Sequence, residues 1–180
     1  MKPVETGGGD DALRLRAAAG DTYPLTLVRP FAFDEPLAPI VAARRAGQAV
    51  DITILHAAFA ELQRTSDAIV VEGAGGLLVP ITETDTFATL FKRWDVELIV
   101  VAANRLGAIN HTMLTLECAQ THGIPVRGVV LNTVSPEPPG IAEETNLELL
   151  RELAGVPVVD LPYGGTVTEL ARRLVRFLHA

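Results

Sequence analysis

Residues 70–80, VVEGAGGLLVP, join an apolar run to a turn that holds one acid, Glu72, and three glycines, Gly73, Gly75 and Gly76. The run Ala68–Val71 is short, continuous and apolar, which is typical of a buried parallel strand. Ligands of parallel sheets bind beyond the carboxyl ends of the strands, so this acid is placed where it can hold a divalent cation. Glycines there let main-chain N–H groups approach an anion closely. An ordinary turn with a solvated acid remains the alternative.

The alternation of strands and helices continues to the end of the chain. Further strand-like runs occur at Leu98–Ala102, Val126–Leu131 and Val156–Leu161. Helix-like segments lie at about Thr86–Arg93, Ile109–His122, Ile141–Leu153 and Thr166–Leu178. Right-handed crossovers between such strands predict an α/β fold, with a doubly wound, mostly parallel sheet and helices on both faces. The length of 180 residues predicts one domain, spanning residues 1–180.

The first 65 residues have a less regular pattern. A short helix with acidic capping residues is predicted for Asp10–Ala19, and a second helix for Asp51–Arg64. The second has apolar spacing at Ile54, Leu55, Ala58 and Leu62. The segment Arg29–Pro39 is predicted to lack regular structure, because its prolines remove N–H donors and fix φ. No complete first strand-turn-helix unit is recognised, although doubly wound sheets normally begin with one.

Composition and charge exclude several classes of protein. Hydrophobic residues make up 48% and charged residues 21% of the chain, which is typical of a globular protein. The formal charge of −7 argues against a nucleic-acid or membrane partner. No apolar run approaches the roughly 20 residues of a membrane span, and no secretory signal pattern opens the chain. The single cysteine, Cys118, cannot form an internal disulfide, which favours a cytoplasmic location.

Other polar residues are weaker candidates for a site. Lys2 and Thr6 accompany glycines and two acids near the start of the chain, a set that suits phosphate and metal chemistry, although a frayed terminus is the simpler interpretation. Asn132 follows a strand and either reads a base edge or caps the turn. A tight turn is the simplest interpretation of Leu161–Gly165. The histidines lack metal-ligand spacing, so no zinc site is expected; they are His56, His111, His122 and His179.

Taken in order, several stretches resemble the ATP-dependent dethiobiotin synthetases. They are Lys2–Gly7 (KPVETG), Asp11–Leu13, Pro30–Pro39, Val71–Gly76 (VEGAGG), Arg105–His111 (RLGAINH), Leu131–Thr133 and Leu161–Tyr163. The resemblance covers nearly the whole chain, and VEGAGG and LGxINH are specific to the family. It implies a P-loop NTPase-like fold. It also implies ATP-dependent carboxylation and ring closure of 7,8-diaminononanoate with CO2 to dethiobiotin, ADP and phosphate, in biotin biosynthesis.

The resemblance also implies roles for individual residues. Lys2 is expected to be the catalytic lysine that stabilises the substrate carbamate and the transferred phosphoryl group. Asp11 and Glu72 are expected to associate with Mg²⁺. The expected substrate contacts are Thr6, Gly75, Gly76 and Asn110. The expected ATP contacts are Asp11, Glu72, Gly73, Ala74, Gly75, Asn132, Thr133, Pro162, Tyr163 and Gly164. A homodimer paired through residues 106–122 is also implied, because the family's Asn110 segment meets substrate across a two-fold axis.

One family feature has no counterpart in the sequence. No G-x-x-x-x-G-K-[ST] phosphate loop occurs in the 180 residues, so the first strand-loop-helix unit is interpreted as missing. A truncated gene model is favoured over a shortened protein or a piece supplied by another chain. The resemblance places the missing strand beside Ala68–Val71, so unpaired backbone and uncovered apolar surface are expected there. ATP binding by this chain alone is expected to be weak.

Two alternative functions remain open. The first is a non-catalytic binding or dimerisation protein of the same fold. The second is a cobyrinic acid synthase-type ATP-dependent amidotransferase domain. Proteins of that second type should carry a glutaminase domain with a nucleophilic cysteine, whereas Cys118 lies within a predicted helix and is interpreted as a packing residue.

Overall fold

The computed structural model describes residues 1–178, without the side chains of Val167 and of residues 176–178. His179 lies outside the described residues. The chain divides into two compact units, the first spanning residues 1–94 and the second beginning at residue 95. Each unit contains parallel strands and helices, so the predicted α/β class is confirmed. Within the described residues, no helix combines the length and apolar character needed to cross a bilayer.

The first unit is built on a two-stranded parallel sheet. Strand β1 is Val4–Thr6 and pairs with β2, Phe31–Phe33, with Val4 opposite Phe31. The helices are α1 (Asp11–Ala18), α2 (Leu25–Val28), α3 (Pro39–Arg45), α4 (Ile52–Thr65) and α5 (Phe87–Arg93). The predicted helices at Asp10–Ala19, Asp51–Arg64 and Thr86–Arg93 are confirmed, each within one residue at either end.

The prediction that Arg29–Pro39 lacks regular structure is wrong. Strand β2 fits between Pro30 and Pro36, so neither proline removes a donor from the strand pair. Helix α3 begins at Pro39, where a missing N–H costs nothing because the first N–H groups of a helix have no intrahelical partner. The prolines therefore mark the boundaries of the elements rather than exclude them.

The prediction of a strand at Ala68–Val71 is also wrong, because the segment belongs to neither sheet. Its neighbour is Met1, whose nitrogen donates to the Val70 carbonyl at 2.6 Å and whose carbonyl accepts from the Glu72 N–H at 2.9 Å. A residue in a parallel strand pair likewise donates one hydrogen bond to the neighbouring strand and accepts one from it. Here, among the described residues, only Met1 pairs in this way. Val70 is 75% exposed. The segment thus presents the uncovered apolar surface expected of it.

Helix α4 and the end of the first unit meet in an aromatic cluster. The rings of Phe59 and Trp94 stack with centroids 4.3 Å apart, and Trp94 Nε1 donates to His56 Nδ1 at 2.8 Å. Leu55, Ala58 and Leu62 are buried on the same helix, as their spacing predicted. Ile54 was included in that apolar face wrongly, since it is half exposed.

A buried carboxylate, Asp85, fixes the turn before α5. It accepts hydrogen bonds from the hydroxyls of Thr82 at 2.8 Å and Thr84 at 2.9 Å, and pairs with Arg93 at 2.5 Å. Burial disfavours its charged form, but these three donors outweigh burial and lower the pKa of Asp85 below its usual value. The carboxylate therefore stays ionised at neutral pH and holds the turn to the helix.

The second unit is a three-stranded parallel sheet of order β3-β4-β5. The strands are β3 (Leu98–Ala103), β4 (Val126–Asn132) and β5 (Val158–Leu161), and the helices are α6 (Ala108–Thr121), α7 (Ile141–Leu153) and α8 (Val167–Leu178). All six were predicted, with bounds within two residues. Strand β5 begins after Pro157, which has no N–H but accepts from Val129 at 2.9 Å through its carbonyl.

The core of the second unit lies beneath α6 and α7. Val129 and Leu131 of β4 pack with Leu150 of α7 and Val158 of β5. Strand β3 forms one edge of the sheet, and its Val101 is 65% exposed. Apolar surface is therefore uncovered on this edge strand as well.

Candidate functional site

The ammonium group of Lys2 is enclosed by three acceptors. Its Nζ lies 2.7 Å from Glu72 Oε1, 2.9 Å from Asp11 Oδ2 and 3.0 Å from the Gly73 carbonyl oxygen. Three acceptors match the three N–H donors of an ammonium group. Lys2 is only 5% exposed, so its interpretation as part of a frayed terminus is wrong.

The backbone around Lys2 is held as firmly as its side chain. The Lys2 N–H donates to the Val28 carbonyl at 2.8 Å, and Pro3 is fully buried beside it. A residue that precedes proline is restricted to extended conformations. The Lys2 side chain therefore leaves the start of β1 in a fixed direction, toward α1 and the glycine turn.

The two carboxylates keep Lys2 charged. Burial alone would favour the neutral amine, but the hydrogen bonds and charges of Glu72 and Asp11 outweigh it and raise the pKa of Lys2 above its usual 10.5. An amine that stays protonated at neutral pH is suited to stabilising negative charge rather than to accepting a proton.

A cavity of about 430 Å³ opens beside this ion cluster. Its polar lining residues are Lys2, Thr6 and Asp11. The remaining lining residues are Pro36, Leu37, Ala38, Ala74, Gly75 and Val79. The cavity lining therefore combines a fixed positive charge with apolar side chains.

The three glycines after Glu72 have different surroundings. Gly75 has a left-handed φ of +84°, and a Cβ there would lie 2.9 Å from Val79 Cγ2. Gly73 contributes its carbonyl to Lys2, and a Cβ there would lie 3.4 Å from the Phe87 ring. Gly76 faces open space. The conformation of the turn therefore depends most on Gly75, while the approach of an anion to these N–H groups stays a prediction.

The acids predicted to associate with Mg²⁺, Asp11 and Glu72, are brought together by Lys2. Each side chain is 49% exposed and keeps oxygen atoms free of the ammonium. Among residues 1–178, no group of three or more histidine, cysteine, aspartate or glutamate side chains could hold a metal ion by itself. Mg²⁺ typically uses one or two protein carboxylates and takes its other ligands from water and phosphate. The pair fits an ion that arrives with a nucleotide.

The predicted adenine contacts meet at the carboxyl ends of β4 and β5 in the second unit. Asn132 pairs with Leu161 across the two strands, and the Thr133 N–H donates to the Leu161 carbonyl at 2.9 Å. Pro162, Tyr163 and Gly164 follow directly, and the Gly165 N–H closes a turn on the Pro162 carbonyl at 2.9 Å. The tight turn is thus confirmed.

Two further features of the second unit concern the predicted contacts. The side-chain amide of Asn132 makes no hydrogen bond among the residues described, so the capping alternative gains no support. Asn110 lies exposed in the first turn of α6, which follows the carboxyl end of β3. Asn110 therefore lies on a different element from the predicted adenine contacts, which lie at the ends of β4 and β5.

Comparison with known proteins supplies the family. A family model described as an AAA domain (AAA_26) matches residues 1–169. The ATP-dependent dethiobiotin synthetase BioD of Anaeromyxobacter dehalogenans strain 2CP-C is 39% identical over 184 residues, covering 100% of this chain and 82% of the relative. That of Thermodesulfovibrio yellowstonii is 37% identical over 186 residues, covering 94% and 76%. The chain belongs to the ATP-dependent dethiobiotin synthetase family.

The family resemblance drawn from VEGAGG and LGxINH is thereby confirmed. A Bacillus cereus (strain G9842) dethiobiotin synthetase is also 38% identical over 165 residues, covering 89% of this chain and 68% of the relative. The relatives described here all carry the synthetase name, so the amidotransferase-type alternative gains no support.

Two buried polar residues, Asn146 and Glu5, were not among the residues predicted from the sequence. Asn146 of α7 donates to Asn104 Oδ1 at 2.9 Å and to the Arg105 carbonyl at 3.1 Å, which fixes the loop after β3. Glu5 lies buried within β1 and pairs with Arg29. The stretch around Glu5, KPVETG, is not an apolar run, so nothing in the sequence signals that this carboxylate is buried.

Substitution of Gly75 should weaken the glycine turn. Gly75→Ala is expected to lower the free energy of unfolding by about 1–3 kcal/mol, because the left-handed φ is strained for alanine and its Cβ meets Val79. Gly76→Ala is the matched control, since φ is not positive and nothing lies within 4 Å there. Urea denaturation of both variants measures the difference, and equal losses would contradict the assignment.

Proposed function

We propose that the protein catalyses the ATP-dependent carboxylation and ring closure of 7,8-diaminononanoate with CO2, giving dethiobiotin, ADP and phosphate. The observation that carries this proposal is the buried Lys2 ammonium, held by Glu72 and Asp11 beside a cavity in a chain of this family. Transfer of a phosphoryl group to a carbamate demands positioning and charge stabilisation rather than a covalent enzyme intermediate.

Lys2 is the proposed catalytic residue. Its fixed positive charge stabilises the carbamate and the phosphoryl group that the carbamate attacks, and charge on both develops toward the transition state. The raised pKa supports this role, because Lys2 carries its proton at neutral pH before any ligand binds. Mg²⁺ supplies charge neutralisation on the phosphates when it is bound, and Asp11 and Glu72 are the residues proposed to hold it.

The cavity beside Lys2 is the proposed substrate site. The Thr6 hydroxyl and the main chain of Gly75 and Gly76 are proposed to bind the amine and carbamate end. Apolar lining residues such as Pro36 and Val79 suit the aliphatic chain of the substrate. Asn110 is proposed to contact substrate from a second copy of the chain.

ATP is proposed to contact two groups of residues. Asp11 and the turn residues Glu72, Gly73, Ala74 and Gly75 serve the phosphate end. Asn132, Thr133, Pro162, Tyr163 and Gly164 serve the adenine. The exposed Tyr163 ring and the Asn132 amide supply an aromatic face and a donor-acceptor pair of the kind that a purine binds.

Further assignments concern organisation and location. The two compact units are proposed to form one functional domain, because the family model crosses the boundary at residue 94 without a break. The cytoplasm is the proposed compartment, supported by the single cysteine, Cys118, which cannot form an internal disulfide.

The chain is also proposed to form a homodimer through residues 106–122. Leu106 is 83% exposed, and Leu114 of α6 is more than half exposed in the same segment. Exposed leucines on one segment are the kind of surface that symmetric pairing covers.

A non-catalytic binding protein of the same fold is the second candidate. One observation favours it, namely that the 180 residues contain no Gly-Lys-[Ser/Thr] phosphate loop. The two candidates are separated by assaying dethiobiotin formation with the 180-residue chain and with the product that includes any in-frame upstream codons. Turnover by either form supports the enzyme, whereas its absence in both favours the binding protein.

Replacement of Lys2 should remove catalysis but not the fold. In whichever form is active, Lys2→Gln is expected to lower kcat by about 10²–10³-fold, because a charge contact in a transition state contributes roughly 2–4 kcal/mol. The other lysine of the chain, Lys92, gives the control Lys92→Gln, which should retain turnover. A fall of less than a few-fold for Lys2→Gln, with circular dichroism unchanged, would show that Lys2 is structural.

Replacement of Glu72 tests the metal assignment. Glu72→Gln should weaken MgATP binding by about tenfold or more, because one of the two proposed carboxylate ligands loses its charge. Glu83→Gln is the control, since Glu83 forms an exposed ion pair with Arg44 in the same unit. Calorimetric titration with MgATP measures both variants, and an unchanged dissociation constant would remove Glu72 from the site.

A charge in the proposed dimer surface should separate the subunits. Leu106→Asp is expected to shift the protein from dimer to monomer, because pairing would bury the new carboxylate. Leu153→Asp, at an exposed position near the end of α7, is the control and should leave the association unchanged. Sedimentation velocity measures the shift, and a wild-type protein that is monomeric at micromolar concentration would refute the proposal.

A further inference from the structure

Glu5 is a buried carboxylate with two partners on different elements. It lies in β1 with 2% of its surface exposed, and its Oε2 pairs with the guanidinium of Arg29, just after α2. Its other oxygen, Oε1, accepts a hydrogen bond from the Ala12 N–H at 3.1 Å. A buried charge is tolerated only when it is paired and hydrogen-bonded in this way.

Helix α1 depends on Glu5 because it has no side-chain cap of its own. The first N–H groups of a helix lack intrahelical acceptors, and a preceding aspartate usually accepts from one of them. Asp10 occupies the capping position but makes no such bond, and instead pairs with Arg14 at 3.0 Å. The prediction that acidic residues of the helix cap it is therefore wrong, since the cap comes from strand β1.

The first turn of α1 also contacts Lys2, and the helix packs against α2. Ala12 is the one buried residue of this helix, and its N–H is the group that Glu5 accepts from. Asp11 is the residue immediately before Ala12, and its carboxylate lies 2.9 Å from Lys2 Nζ. The position of Asp11 beside Lys2 therefore follows from the position of the Ala12 amide.

We propose that Glu5, held by Arg29, is a positioning residue: it anchors the first turn of α1 and so sets Asp11 against Lys2. As far as it concerns MgATP, this inference rests on the proposed function. The role requires an acceptor oxygen at position 5, and the negative charge is needed chiefly to match Arg29. Glutamine keeps the acceptor and alanine removes it.

Hydrogen exchange of the α1 amides tests the anchor without any ligand. Glu5→Ala should speed exchange of residues 12–18 by roughly 3- to 30-fold, the effect expected when a capping acceptor is lost. Glu5→Gln should restore much of the protection. Asp85→Asn is the matched control, because it alters another buried carboxylate–arginine pair of the same unit that does not touch α1. Equal α1 exchange in Glu5→Ala and Asp85→Asn would overturn the proposal.

Steady-state kinetics then test the link to Asp11. Glu5→Ala should raise the KM for MgATP several-fold more than it lowers kcat, with Glu5→Gln close to wild type. A purely structural loss, as expected for Asp85→Asn, reduces the amount of active protein without moving KM. Faster α1 exchange with an unchanged KM would overturn the positioning role. A wild-type protein without turnover refutes the proposed function instead, while the exchange result still decides whether Glu5 anchors α1.

Discussion

The burial of the Lys2 ammonium is the constraint on which the first unit depends. Removing such a group from water costs several kcal/mol unless its donors are satisfied by charged partners. Its partners come from residues 11, 72 and 73, so three separate parts of the chain must meet at one atom. Strand β1, the start of α1 and the glycine turn therefore take positions that none of them would adopt from local sequence alone.

The second unit was predictable because its signals are local and continuous. Each of its strands is a mostly apolar run of four to seven residues, and each helix separates two such runs or follows the last. The bounds of α7 agree with the prediction to the residue. The prediction started β5 too early. Pro157 has no N–H to donate to a neighbouring strand, but it does not interrupt the apolar run, so hydrophobicity alone did not show where the strand begins.

The first unit was less predictable because its strands exist only through pairing. Strands β1 and β2 have three residues each, too few for any periodicity, and each is specified by the other. The segment Ala68–Val71 shows the opposite case, because it is as apolar as a strand but has no strand to pair with. Among the described residues, its hydrogen-bond partner is Met1 alone. At the site, family resemblance supplied Lys2, Asp11 and Glu72, but neither Glu5 nor the direction of the Gly73 carbonyl has a signal in the sequence.

The charge balance at Lys2 is consistent with the function proposed for this cluster. One ammonium faces two carboxylates beside a cavity, so the two acids outnumber the base in this cluster. A single carboxylate would neutralise Lys2, and the second raises the electrostatic cost of the unliganded state unless a cation joins the cluster. On the proposed function, Asp11 and Glu72 would hold that cation through their exposed oxygen atoms. The donors of Lys2 would then be available to the carbamate, where negative charge develops.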